Sequence, residues 1–501
     1  MKTSKTIKRQ IWLVFLLTMA LSAKAHQNES QSFATLSIII KDQVQNRLKF
    51  IEATIEKSDV NSSLTPTTTL RFEINRQLNY FKIPLPAQLS YVRLLGLDDK
   101  NQPVPQLEYS RNLFLVADKD SLKFEFSNSS NDLKFKGKDA AKYTCEYRLN
   151  CNDGINNKSF NYYSNLKQYD AAFESLIVQR DSLNRLHSAV INHYAEYLDP
   201  VELKVLETDC MANNNKMILG FPYSAFANHL EEQYPAALRF YNKHFGQREA
   251  ESENISILLC SYEFGDYLLF KERTGVIAAN AKTGESFFKD FKFSFMNSVI
   301  NRDFASGSLK DKLKLLAFWD VDQHQDDYIN FLDEAIQGAK PGSFKNSMVA
   351  IKKLKGFGAQ IKGFQFLDQN GQLVDLKSIS GKLIVLDFWF SGCHGCLQMA
   401  EKLKSIMKKY KDNPEVLFAS LSIDRSREVW IHSLKSELYS SPDELNLLEG
   451  KNGQSQFIRA YNIQEYPTLF LISKKGTLIS ANPPDPRIDE NAFLKMIDNN
   501  L

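Results

Sequence analysis

Cysteine is scarce in this 501-residue chain, with six residues at positions 145, 151, 210, 260, 393 and 396. That count excludes a disulfide-dense miniature scaffold, and the single Cys-x-x-Cys spacing, Cys393 to Cys396, has no second pair to complete a four-thiolate zinc site. The eight histidines are scattered, so no metal centre is expected. Beyond residue 25 no uninterrupted apolar run approaches the roughly 20 residues that span a bilayer. An excess of one charge is missing too: 62 Lys and Arg face 59 Asp and Glu, and residues 1–25 hold five of the basic residues and none of the acidic ones. Without a basic patch interleaved with aromatics, nucleic acid is excluded as a partner. Internal repeats and low-complexity tracts are absent as well.

The first 25 residues explain the small positive excess. Lys2, Lys5, Lys8 and Arg9 form a basic start, Ile11 to Leu21 an apolar core, and Ala23-Lys24-Ala25 a small-x-small cleavage site. This is the pattern of a secretory signal peptide, and the alternative is an uncleaved N-terminal anchor. The protein is therefore expected to be exported and soluble, at most tethered by its N-terminus. In an oxidising compartment disulfides persist. Proximity pairs Cys145 with Cys151 and Cys210 with Cys260; buried thiols are the competing reading for all four.

Composition changes twice along the chain. Residues 26–154 read as a β-rich domain, a sandwich or small barrel. "ATLSIIIKD", "TTLRFEIN", "YFKIPL", "YVRLLGLD", "LFLVADK" and "LKFEFSN" are rich in β-branched and aromatic residues, and "LKFKGKDAAKY" looks like its closing strand. Residues 155–355 are mostly helical, with Tyr169, Phe173, Leu176 and Ile177 spaced on one helix face. Residues 356–501 alternate strands and helices. "FQFLDQNGQLVDL" reads as a hairpin turning on Asn370-Gly371, and "KLIVLDFWF" as a buried central strand. A helix to about Tyr410, the strand "VLFASLSID", a helix at Glu428 to Glu437, a short helix near "SQFIRAYN", the hairpin "PTLFLISKKGTLISA" and a terminal helix from about Glu490 complete an α/β domain with a mixed sheet.

The chemistry concentrates in "DFWFSGCHGCLQMAEKL", Asp387 to Leu403. Cys393 falls where strand gives way to helix, so its sulfur faces unpaired N–H groups at the positive end of the helix dipole, which lowers a thiol pKa. Cys396, one turn further on, is placed to resolve a mixed disulfide formed by Cys393. Asp387 interrupts the apolar strand six residues before Cys393, and a carboxyl buried there has a raised pKa and can exchange the proton of Cys396. Trp389 is an aromatic beside the turn. Pro467, in "EYPTLFLI", opens a strand where a cis proline fits.

Residues from about Gly363 to Leu501 resemble the TlpA/ResA-like class of exported thiol-disulfide oxidoreductases, which carry a thioredoxin fold. The likeness is carried by "FLDQNGQLVDLKSISGKLIVLDFWFSGCHGC", "SIDRSREVWIHSL" and "YNIQEYPTLFLISKKGTLIS". It implies an α/β thioredoxin fold at the C-terminus, behind a β-rich domain and a mostly helical region. It further implies Cys393 as nucleophile, Cys396 as resolving cysteine, Pro467 as cis proline, and Tyr466 as the residue whose backbone meets the bound partner. Asp387 matches the buried acid of thioredoxins, where many TlpA-like proteins have Asn. Trp389 and His394 join Tyr466 as the expected partner-binding set. No cofactor is implied beyond a redox-active Cys393–Cys396 disulfide. The implied partners are protein thiols or disulfides and a membrane thiol donor, with a reductase role in cytochrome c maturation or envelope disulfide repair. Departures are Gly392, where the family often has an aromatic, and Gly395, where it often has proline. Two readings stand for His394: an imidazolium that stabilises the Cys393 thiolate, or a solvated loop residue. The competing class of function is an envelope docking protein whose thioredoxin-like domain is redox-inactive.

Overall fold

The computed structural model describes residues 32–501 apart from 42–46, 57–66, 108–111, 129–131, 152–153, 229, 248–254, 281–292, 321–327, 356–357, 362–363, 380, 450–455, 462, 464–465 and 482. The expected signal peptide lies outside the described residues. Eight strands open the described chain: β1 (Phe33–Ile40), β2 (Phe50–Glu56), β3 (Thr67–Glu73), β4 (Leu78–Pro84), β5 (Leu89–Leu97), β6 (Leu113–Ala117), β7 (Ser121–Phe126) and β8 (Lys134–Phe135). They form two four-stranded sheets, ordered β4-β1-β7-β8 and β3-β2-β5-β6. Alternation along the strands sends Leu36 and Ile38 from one sheet, and Ile51, Val92 and Leu94 from the other, into one apolar core.

Two features of this region differ from the pattern reading. Strand β2, "FIEATIE", was not expected, because Glu and Ala are weak strand formers; its pairing with β3 and β5 on both sides overrides that preference. The closing segment "LKFKGKDAAKY" is strand only at Lys134–Phe135 and then becomes helix α1 (Ala140–Cys151). Helix α1 seals the sandwich with Tyr143 and Tyr147 and turns Cys145 and Leu149 toward the helical region.

That region is a stack of helices: α2 (Lys158–Asn165), α3 (Tyr169–Tyr194), α4 (Pro200–Ala227), α5 (Tyr234–His244), α6 (Ile255–Cys260), α7 (Tyr262–Asn280), α8 (Phe293–Asp303), α9 (Ser308–Asp320), α10 (Tyr328–Gly338) and α11 (Ser343–Lys355). Buried polar contacts join it to the sandwich. The Lys142 ammonium donates to Asp120 at 2.8 Å and to Glu202 at 2.5 Å, and the Tyr91 hydroxyl donates to Asp209. Among the described residues no helix is long and apolar enough to cross a membrane.

The disulfide pairings expected from proximity do not occur: Cys145, Cys151, Cys210 and Cys260 are thiols. Cys145 and Cys151 share helix α1, where six residues rise about 9 Å. A disulfide tolerates a Cα separation of only about 4.4–6.8 Å, so near neighbours in sequence are here too far apart.

The C-terminal domain is a seven-stranded mixed sheet ordered β10-β9-β13-β12-β11-β14-β15. Its strands are β9 (Gln365–Asp368), β10 (Leu373–Asp375), β11 (Leu383–Trp389), β12 (Val416–Ser422), β13 (Leu445–Leu448), β14 (Thr468–Ile472) and β15 (Leu478–Ser480). Its helices are α12 (His394–Met407), α13 (Arg427–Ser436), α14 (Gln456–Tyr461) and α15 (Glu490–Asp498). Every residue of β11 is buried, which suits a continuous apolar run flanked by parallel β12 and antiparallel β14. Odd positions Leu383 and Val385 pack with Met399, Leu403, Phe493 and Ile497 of α12 and α15. Even positions Ile384, Leu386 and Phe388 pack with Phe457 and Tyr461 of α14 on the other face.

Candidate active site

Strand β11 aims at the site. The alternation that puts Leu383 and Val385 under α12 puts Asp387 on that same face, two residues before the strand ends. Three residues, Phe390 to Gly392, then turn the chain into α12, and the last two are anchored. Ser391 donates from its backbone N to Asp424 Oδ1 at 3.0 Å and from its hydroxyl to Asp424 Oδ2 at 2.6 Å. The Gly392 N–H donates to the Tyr439 hydroxyl at 2.9 Å, and its φ of +96° is the left-handed conformation that favours glycine.

Cys393 is the N-cap of α12, and its Sγ accepts the Cys396 N–H at 3.1 Å. A sulfur in that position meets the helix's orphan donors and the positive end of its dipole. The two sulfurs are joined as a disulfide. Cys393 retains 7 % exposure while Cys396 has none, so an incoming group meets Cys393 first.

Asp387 lies 2 % exposed on the same face, and its Oδ1 has no hydrogen-bonding partner. Burial pushes its carboxyl well above the usual range; the Glu444 charge adds to this, while the Phe388 backbone and the Arg487 charge oppose it. Burial likewise raises Glu444, to about 7. The domain therefore holds a carboxyl that favours its proton, within the sheet that carries the disulfide.

The β11–β14 register pairs Phe388 with Thr468, which brings the preceding residue, Pro467, to the Trp389 end of the strand. The Tyr466–Pro467 peptide is cis. Residues from two distant stretches thus meet at one turn: Pro467 Cδ lies 3.1 Å from where a Cβ on Gly395 would stand.

The expected partner-binding residues divide. His394 is exposed at the first position of α12, and Tyr466 is half-buried with its ring edge-on to Phe390 at 5.5 Å. Trp389 does not face a partner. Its indole is fully buried, stacks on Tyr439 at 5.0 Å and donates Nε1 to Ser420 at 2.6 Å, since β11 is covered on both faces. The neighbouring Phe390, 37 % exposed, is the aromatic that the surface presents.

Sequence reasoning also missed Arg487. Its Nη1 donates to the Gly395 carbonyl at 3.1 Å from 92 residues away, and nothing local announces such a contact except the Asp-Pro-Arg triplet at 485–487.

A family model described as thioredoxin-like matches residues 381–478. The thiol-disulfide oxidoreductase ResA of Bacillus subtilis is 25% identical over 134 residues, which are 27% of this chain and 71% of that protein. The thioredoxin-like protein YneN of the same organism is 23% identical over 121 residues, 24% of this chain and 68% of its own. Among solved structures, the thioredoxin domain of a thiol-disulfide oxidoreductase from Bacteroides vulgatus is 20% identical, covering 29% of this chain and 98% of that one with a TM-score of 0.26. A thiol-disulfide oxidoreductase from Bacteroides fragilis is 22% identical, covering 27% of this chain and 97% of that one with a TM-score of 0.24. The family match spans the central strand, the disulfide turn and the cis proline, so residues 381–478 form a thioredoxin-like domain, and the C-terminal part of the chain is similar to the thiol-disulfide oxidoreductase ResA.

Proposed function

We propose that the protein is an exported thiol-disulfide oxidoreductase that reduces disulfides of envelope proteins through Cys393 and Cys396. The observation that carries this reading is Cys393 at the start of α12, its sulfur on a backbone N–H and the residue still partly exposed, with Cys396 fully buried behind it. In the reduced enzyme the Cys393 thiolate attacks a partner disulfide, forming one S–S bond while the partner's other sulfur leaves as a thiolate and takes a proton from water. Once Asp387 has released its own proton to water, against the burial that favours the protonated form, its carboxylate accepts the Cys396 proton, and the Cys396 thiolate attacks Cys393 Sγ. That closes the Cys393–Cys396 disulfide and releases the partner's second sulfur, which is protonated in turn. Two electrons pass to the partner, and the pair itself is the only redox group the reaction uses. Tyr466 offers its backbone, and Phe390 its ring, to the extended partner segment beside Pro467.

Residues 1–25 act as the signal peptide, which places the enzyme in the periplasm or an equivalent extracytoplasmic space. Residues 26–154 and 155–355 precede the catalytic domain at 356–501, and a membrane thiol donor resupplies electrons, in service of cytochrome c maturation or envelope disulfide repair. Insulin reduction by dithiothreitol tests the reading: the protein should accelerate turbidity, and Cys393→Ser should abolish the gain. No gain over that variant would overturn the enzyme reading in favour of a docking protein.

A further inference from the structure

Gly395 stands between the cysteines where proline is common, and the space around it explains the departure. A Cβ there would lie 3.1 Å from Pro467 Cδ, 3.5 Å from Arg487 Nη1 and 3.7 Å from the Tyr466 carbonyl. The 3.1 Å contact is tight, so a side chain here would press on Pro467 while lying in ordinary contact with the guanidinium. The turn gives up proline's stiffness and gains a tether from a distant arginine.

That arginine is held firmly. Asp485 Oδ1 accepts the Arg487 backbone N–H at 2.8 Å and its Nε at 3.0 Å, and Oδ2 accepts Nη2 at 2.6 Å. Burial works against ionising Asp485, but the hydrogen bonds and charge of Arg487 keep its carboxyl below the usual range. With the fork fixed on Asp485, Nη1 is left to reach the Gly395 carbonyl at 3.1 Å. The side chains of Arg487 and Asp485 are 29% and 26% exposed, so this charge is only partly screened by water. Other titratable groups around the turn are His394 on α12, Asp387 on β11, Asp424 bound to Ser391, Tyr439 bound to Gly392, Tyr466 beside Pro467, and Glu444, whose charge reaches Asp387. Arg487 keeps its charge at every accessible pH.

We propose that Arg487 is a positioning residue of the redox pair: anchored by Asp485, it tethers the turn at Gly395 and holds a positive charge that favours the Cys393 thiolate of the reduced form. The inference rests on the reading of Cys393–Cys396 as the redox centre. Reduction of the disulfide takes two electrons and two protons, or one proton when Cys393 remains a thiolate, so a cation that favours the thiolate makes the pair more oxidising.

The test compares full-length wild type with Arg487→Met and Arg487→Lys, by equilibration with glutathione and by thiolate absorbance of the reduced protein against pH. Arg487→Met should raise the Cys393 thiol pKa and shift the glutathione equilibrium about fivefold to tenfold toward the disulfide, tenfold being about 30 mV. Arg487→Lys, which keeps the charge without the planar fork, should restore at least half of the thiol shift. Insulin reduction by the wild type, measured alongside, separates two failures. An active wild type whose Met variant keeps the same thiol pKa and equilibrium overturns the role of Arg487 alone, as does a Lys variant no better than Met. An inactive wild type overturns the redox reading itself.

Discussion

Asp387→Asn separates a buried carboxyl that holds a proton from one that is simply packed. In the folded domain burial, then the Glu444 charge, pushes Asp387 well above the usual range, whereas in an opened chain an aspartate ionises at about 3.9. Between those two values the folded form retains a proton that the opened form releases. Stability from this group is therefore fully present below a pH of about 4 and falls by about 1.4 kcal/mol per unit until the folded value is reached. The Asn variant lacks the titration, so its stability relative to wild type should rise with pH above about 4, by up to about 1.4 kcal/mol per unit, for as long as the folded carboxyl keeps its proton. Native-state hydrogen exchange of β11 amides in the oxidised protein is the suitable assay, because a chain with several cores need not unfold in one step. Glu444, raised to about 7, titrates in both proteins and largely cancels from the difference. Any constant change in packing or hydrogen bonding gives an offset, not a slope. A difference that is the same at pH 5 and pH 7 would falsify the retained proton.

Two further outcomes follow from the geometry. Reduced protein treated with limiting alkylating agent at pH 7 should carry the label mainly on Cys393, by roughly tenfold if the helix start lowers its thiol pKa by about one unit; labelling of Cys396 first would reverse the two roles. Gly96→Ala should destabilise the sandwich by about 1–3 kcal/mol, since its Cβ would stand 2.7 Å from Val104 and 2.8 Å from both Leu107 and Leu48. Thermal unfolding and limited proteolysis of the N-terminal region read that loss, insulin reduction should be unchanged, and an undiminished melting temperature would refute the packing.

What the sequence discloses is whatever is encoded locally. "KLIVLDFWF" announces a strand buried on both faces, and the cysteine spacing at its end announces a helix start, because both depend on neighbours in the chain. Strand β13, "LNLL", went unnoticed because four residues carry little periodicity; its identity comes from pairing with β12 and β9. The burial of Trp389 follows from a strand covered on both faces, but its contacts with Tyr439 and Ser420 come from distant parts of the chain. Arg487 was illegible for a different reason. Its partner is a backbone carbonyl 92 residues away, and a carbonyl leaves no mark in the sequence, whereas the space at Gly395 does leave one, as the missing proline.

Among the described residues Cys145 also stands beside a buried carboxyl, and the contrast with the C-terminal pair shows what favours a thiolate there. Cys145 precedes Glu146 in the middle of α1, both are buried, and Glu146 Oε1, like Asp387 Oδ1, has no hydrogen-bonding partner. Burial raises Glu146 to about 8, so the two carboxyls resemble each other in holding a proton. The sulfurs do not. Burial first and the Glu146 charge second push the Cys145 thiol up to about 12, because a mid-helix position offers no unpaired N–H group and no positive dipole end. Cys393, at the helix start, has the Cys396 N–H on its sulfur and Arg487 tethered to the same turn. A retained proton nearby does not activate a thiol. What distinguishes Cys393 is the stabilisation available to its anion, and that comes from where the strand ends and the helix begins.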